Sequence, residues 1–142
     1  MPAFNEGHHI YGNLKETHRV FKRTKCRFEI ILVNDGSLDN TFNEAKKAAS
    51  EFGNVTIVNI SGNDGKGNAL KKGFDAVTGD FVIFMDSDLD LHPEQLHTMF
   101  RIMRNERAEV VTGSKYHPES RLNYPPSRKI LSRLYASVLK VM

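Results

Sequence analysis

The chain has 142 residues, 39% of them hydrophobic and 26% charged, which is the size and balance of one soluble domain with a core of its own. Two domains, intrinsic disorder and a collagen-like fibre fit these values poorly. No run of 18 apolar residues occurs, and residues 1–6 have neither the basic flank nor the apolar stretch of a signal peptide, so neither a membrane span nor an export address is expected.

The net charge of +3 is too small to argue for a nucleic-acid partner, but it is unevenly spread. Residues 113–142 carry six bases, Lys115, Arg121, Arg128, Lys129, Arg133 and Lys140, against one acid, Glu119, which leaves the remainder net acidic. Such a tail suits either phosphate groups or an ordinary solvated face. Cys26 is the only cysteine; it excludes an internal disulfide, fits a reducing compartment, and is expected to pack rather than react.

Residues 2–7 read as a loop leaving a strand, with no strand ahead of it. The apolar run 28–33 predicts a buried strand, closed by the turn Asn34-Asp35-Gly36-Ser37. A helix is expected over 40–52, with Thr41 and Glu44 at capping-box spacing and Gly53 as its stop. A strand at 55–60, a glycine-rich loop at 61–67 and a helix to about residue 77 follow. Gly79 then precedes an expected strand at 81–85. Pro93 suits a first helical turn, which places a helix over 96–103; a short strand at 109–112 and an amphipathic helix at 130–142 complete the reading. This alternation predicts an α/β fold, a mostly parallel sheet with helices on both faces, whose ligands bind at the carboxyl ends of the strands.

The most informative motif is Asp86-Ser87-Asp88-Leu89-Asp90, three acids at alternate positions after an apolar run. Alternate carboxylates at a strand end can face a common point, and a hard divalent cation neutralises them there. Capping of the next helix is the plainer use of the same acids. A helix-loop-helix calcium loop starting at Asp86 fails, because Leu91 and His97 stand where glycine and glutamate are required. An aspartyl-nucleophile phosphatase stays open, although Asp90 replaces the expected threonine or valine.

The loop Gly62-Asn63-Asp64-Gly65-Lys66-Gly67 resembles a phosphate cradle. It lacks the spacing of an ATPase phosphate loop, and Leu70 stands where a dinucleotide fingerprint needs its third glycine. Asn34-Asp35 and Asn5-Glu6, at strand ends, suit either hydrogen bonds to a nucleoside or simple turns. The six histidines show no metal-ligand spacing beyond the adjacent His8-His9 and read as surface or capping residues.

In their order, these pieces resemble glycosyltransferase family 2 and its nucleotide-diphospho-sugar transferase fold, the Rossmann-like GT-A type. The resemblance runs through Pro2-Ala3-Phe4-Asn5-Glu6, Val33-Asn34-Asp35-Gly36-Ser37, Gly65-Lys66-Gly67-Asn68-Ala69-Leu70, Gly79-Asp80, Asp86-Ser87-Asp88-Leu89-Asp90 and Gly113-Ser114-Lys115. Asp90-Leu91-His92-Pro93-Glu94 and Tyr124-Pro125-Pro126-Ser127-Arg128-Lys129 with Ser132 look most like the polyprenyl-phosphate hexosyltransferases, such as dolichyl-phosphate mannose synthase and glucosyltransferase.

The resemblance implies transfer of a hexose from a nucleotide-diphosphate sugar, GDP-mannose or UDP-glucose, to a polyprenyl or dolichyl phosphate. It implies that Glu6 and Asp35 contact the nucleoside, that Pro2 and Phe4 shape the base pocket, and that Lys66 lies near the nucleotide. Asp86 and Asp88 would hold Mg²⁺ or Mn²⁺ on the diphosphate, with Asp90 reaching the same ion. Lys115, Arg128 and Ser132 would hold the acceptor phosphate, so that Asp88, Lys115 and Arg128 carry the chemistry. Two departures stand out: Asn34 replaces an acid, and Lys115 replaces an arginine, exchanging a bidentate clamp for a point charge.

An acceptor that is already an anion requires no strong general base, and single displacement with inversion follows. Against this expectation stand a family 2 enzyme with a polysaccharide acceptor and a nucleotide-sugar-binding fragment without transfer activity. The family's first strand and its acceptor-side segment are not visible, so residues 1–142 read as the donor-binding part of a single catalytic domain. The basic amphipathic end suggests a peripheral position on the cytoplasmic face of a membrane, with packing on the core as the alternative.

Overall fold

A computed structural model describes residues 1–24, 26–114 and 117. The chain divides into two compact units, Met1–Arg101 and Ile102–Met142. The first holds three parallel strands in the order β1 (Pro2–Ala3), β2 (Ile30–Asp35) and β3 (Val55–Ile60). Parallel neighbours need crossover connections, and helices α1 (Ile10–Lys22) and α2 (Thr41–Phe52) supply them.

Alternation along β2 decides which helix covers which face. Ile30 and Leu32 lie in one cluster with Ile10 and Leu14 of α1 and Ala45 and Ala48 of α2, all buried. Val33 points the other way, toward α3 (Lys66–Phe74), where a Cβ added to Gly73 would meet its methyl at 3.0 Å. Helices thus cover both faces, as the sequence predicts. Helix α3 packs on β2 and β1 on this second face, and in open α/β sheets ligands bind at the carboxyl ends of the strands.

Four local features depart from the sequence reading. Helix α1 is not anticipated by it: the buried Thr17, whose hydroxyl donates to the Asn13 carbonyl, interrupts an apolar stripe at Ile10, Leu14 and Val20. Strand β2 begins two residues late, leaving Phe28 to pack beside His18 and Phe21. Helix α2 starts at Thr41, and Asp39 rather than a Thr41–Glu44 box caps it, accepting the Thr41 N–H and hydroxyl. Cys26 is exposed, against the expectation that it packs.

The expected strands at 81–85 and 109–112 do not form. A strand at 81–85 would need a sheet edge with donors to offer, and Pro2 of β1 has no N–H. Phe81 and Phe84 remain exposed, each against one ring, Phe100 and Phe74 respectively. After α3, the Thr78 N–H and hydroxyl both donate to Glu29, and these bonds hold the Glu29 carboxyl below its usual range. A 3₁₀ turn at Pro93–Gln95, capped by His92 Nδ1, leads into α4 (Leu96–Glu106), three residues longer than expected. The helix expected at 130–142 lies outside the described residues.

Candidate donor site

Three loops meet at the carboxyl ends of the strands, and hydrogen bonds fix them to one another. Asn5, at φ +57°, takes the left-handed conformation that asparagine tolerates; its N–H donates to Ser37 Oγ and its Oδ1 accepts the Leu38 N–H, both at 2.9 Å. The Glu6 N–H donates to Thr41 Oγ1 at 2.8 Å and the Gly7 N–H to Asp39 Oδ2 at 2.9 Å. Asp39 consequently titrates below the usual carboxylate range, chiefly because the Thr41 hydroxyl bonds its charged form. Asn5, Asp39 and Thr41 are thus the joints of this edge. The sequence assigns none of them that task, although Asn5 lies within the Pro-x-x-Asn-Glu motif.

Asp35 is 3% exposed, and each of its carboxylate oxygens accepts a backbone N–H of the glycine loop, from Asp64 at 3.1 Å and from Gly65 at 3.0 Å. The residue expected at the nucleoside therefore anchors the loop in this structure. Asn34, the replaced acid, is buried on the opposite face of β2 and donates through Nδ2 to Asn59 Oδ1 at 2.7 Å, its ladder partner on β3. Asn34 Oδ1 accepts nothing among the described residues. A neutral amide suits this buried position, where an uncompensated carboxylate would be costly.

Beyond the loop, Lys66 opens α3 and its ammonium lies 2.6 Å from Asp86 Oδ1. Asp86 and Asp88 are exposed while Met85 and Ser87 are buried, so the alternation expected of a strand end persists without the strand. The Asn13 side chain donates to the Ser87 carbonyl at 2.7 Å and ties this segment to α1. Leu89 then adopts φ +59°, and the Asp90 N–H donates to Asp88 Oδ1 at 3.0 Å. The three-carboxylate cluster expected at 86, 88 and 90 is consequently not assembled: no group of three acids or histidines placed to hold a metal occurs among the described residues.

Asp86 and Asp88 nevertheless suit a hard cation of the Mg²⁺ type, which takes one or two carboxylates and completes its shell with water and substrate phosphate. Of the remaining expected residues, Phe4 is exposed, and Pro2 in β1 and Glu6 in the following loop are half-buried. Lys115, Arg128 and Ser132 lie outside the described residues. An open groove between α1 and α2, lined by His8, Tyr11, Asp39 and Glu44 among others, contains none of the expected donor residues.

The sequence model of glycosyl transferase family 2 matches residues 1–139. The chain belongs to glycosyl transferase family 2. Within this family it is 34% identical, over 92% of its own length, to an undecaprenyl-phosphate 4-deoxy-4-formamido-L-arabinose transferase of Pseudomonas fluorescens, covering 38% of that protein. It is 27% identical to glycosyltransferase AglD of Haloferax volcanii, over 99% of this chain and 23% of the relative. Among solved structures, S. aureus TarS (residues 1–349) superposes with a TM-score of 0.60 at 20% identity, over 87% of this chain and 36% of that one, a likeness of fold. The GT-A type of α/β fold expected from the sequence is thus shown for this family 2 chain. It spans well under half the length of these curated relatives.

Proposed function

We propose that this family 2 chain is the donor-binding part of a glycosyltransferase that moves a hexose from a nucleotide-diphosphate sugar to a polyprenyl phosphate. The observation that carries the reading is the exposed pair Asp86 and Asp88, set beside Lys66 at the edge where β1, the glycine loop and the β2–α2 loop converge. The printed activity of the Pseudomonas fluorescens relative supports the acceptor class.

Asp86 and Asp88 would hold Mg²⁺ or Mn²⁺, which when bound supplies a Lewis acid that neutralises the nucleoside diphosphate leaving group. Lys66 adds a positive charge on the same side. Pro2 in β1 and Phe4 and Glu6 in the loop after it would shape the base pocket. Asp35 fixes the glycine loop against that edge and so acts through position.

An oxygen of the acceptor phosphate attacks the anomeric carbon as the bond from that carbon to the diphosphate oxygen breaks, and the electron pair leaves with the nucleoside diphosphate. The acceptor oxygen is already ionised, so no side chain needs to remove a proton, and none of the expected site residues is a histidine paired with a carboxylate. Lys115, Arg128 and Ser132 are the proposed acceptor-phosphate ligands. The basic residues after 113 would place the enzyme on the cytoplasmic face of a membrane, next to its lipid. No helix among the described residues is long and apolar enough to cross a membrane.

A donor-by-acceptor panel on the full-length protein tests this reading, with GDP-mannose and UDP-glucose as donors and polyprenyl phosphate presented in anionic vesicles. The expected result is transfer of one hexose with inverted anomeric configuration, and flotation of the protein with the vesicles at low salt. Retained configuration would overturn the single displacement. Nucleotide-sugar binding without transfer to any acceptor would overturn the catalytic reading in favour of a binding module.

A further inference from the structure

The pairing of Lys66 with Asp86 has no explanation in the stability of α3. A lysine at the first position of a helix opposes the positive end of the helix dipole, the first turn of α3 holds no acid, and Gly65 at its cap, φ +87°, contributes no side chain. The ammonium instead reaches across to Asp86 Oδ1 at 2.6 Å, with both side chains about half exposed, so the pair can open without any rearrangement of the core. Among the described residues, Asp88 Oδ1 accepts a backbone N–H, that of Asp90. Of the two carboxylates suited to a cation, one is already neutralised by this chain's own lysine.

Resting on the donor-site reading above, we propose that Lys66 couples donor arrival to cation binding. While no donor is present, its ammonium sits on Asp86 and competes with a divalent cation for that carboxylate. A nucleoside diphosphate carries several negative charges on strong acceptor oxygens, and it draws Lys66 from Asp86 to phosphate. Asp86 is then free for the cation, which also gains phosphate ligands. Cation and nucleotide therefore bind with positive coupling, and Lys66 is the side chain that makes the cation alone bind poorly.

Exposed ion pairs are worth up to about 1 kcal/mol, so removing the lysine should tighten cation binding about fivefold. The test is a Mn²⁺ titration of the full chain followed by the electron paramagnetic resonance of free Mn²⁺, alone and with saturating GDP or UDP. Lys66→Met is expected to lower the Mn²⁺ Kd about fivefold without nucleotide and to shrink the nucleotide-induced tightening by a similar factor. Lys66→Arg, which keeps the charge, is expected to behave like the parent. Measurable Mn²⁺ binding that is identical in the parent and in Lys66→Met overturns the coupling role and leaves the cation site standing. Absence of Mn²⁺ binding in every variant, with and without nucleotide, overturns the cation site and this inference with it.

Discussion

Gly36 carries the most exacting steric requirement of the edge. It follows Asp35 at φ +68°, and a Cβ there would lie 2.4 Å from the Gly62 carbonyl carbon and 2.7 Å from the Asn63 nitrogen, both backbone atoms. Gly36→Ala therefore combines a left-handed backbone, costing about 1 kcal/mol or more in a residue with a Cβ, with a clash that only movement of the glycine loop relieves. Urea unfolding should show a loss of at least about 1 kcal/mol, and nucleotide binding should weaken as the loop leaves Asp35. Unchanged stability in this variant would contradict the close approach of the two loops. The motif Asn34-Asp35-Gly36-Ser37 was legible in the sequence as a turn; its grip on a second loop was not, because the partners Asp64 and Gly65 are backbone amides about 30 residues away. Side-chain chemistry can be read from letters, whereas a backbone donor offers no letter to read.

Among the elements, α1 shows how a polar residue can sit inside an apolar contact. His18 stacks on Phe52 at 4.7 Å between centroids and tilts against Phe28 at 5.6 Å. Desolvation among these rings, reinforced by Lys22, lowers its pKa from the ordinary histidine value. The unfolded chain then takes up the proton at a higher pH than the folded one. Stability is full above about pH 6.5, the unfolded value, and falls as pH drops through that value toward the folded pKa. His18→Phe should flatten this part of the pH–stability curve in denaturant titrations between pH 5 and 7; an unaltered slope would contradict the stacked, neutral imidazole.

The same helix marks a limit of sequence reading. Strand β3 and helix α2 were legible because apolar periodicity and Gly53 agreed, and Gly53 indeed ends α2 at φ +71°. Helix α1 escaped because His18 and Thr17 occupy inward positions that a hydrophobic pattern scores as polar. The run 81–85 erred the other way: its letters read as a strand, but strand formation depends on a neighbour with donors to offer, and Pro2 of β1 has no N–H. Periodicity reports what a segment can bury, whereas pairing is decided elsewhere in the chain.

At the scale of the molecule, the expected donor-side residues Pro2, Phe4, Glu6, Asp35, Lys66, Asp86, Asp88 and Asp90 all fall within the unit Met1–Arg101. The expected acceptor-side residues Lys115, Arg128 and Ser132 come later, in the basic stretch that turns a net acidic chain into one of charge +3. Donor binding is therefore a property that this chain can be asked about directly, whatever the rest of a longer family 2 protein contributes. In the proposed function Asp86 and Asp88, beside Lys66, hold a nucleoside diphosphate through a divalent cation. Calorimetric titration of the chain with GDP and with UDP, in Mn²⁺ and in excess chelator, tests this. Binding of one nucleotide in Mn²⁺, lost in chelator and lost in a folded Asp88→Asn variant, is the predicted result. Equal affinity in chelator, or in Asp88→Asn, would contradict it.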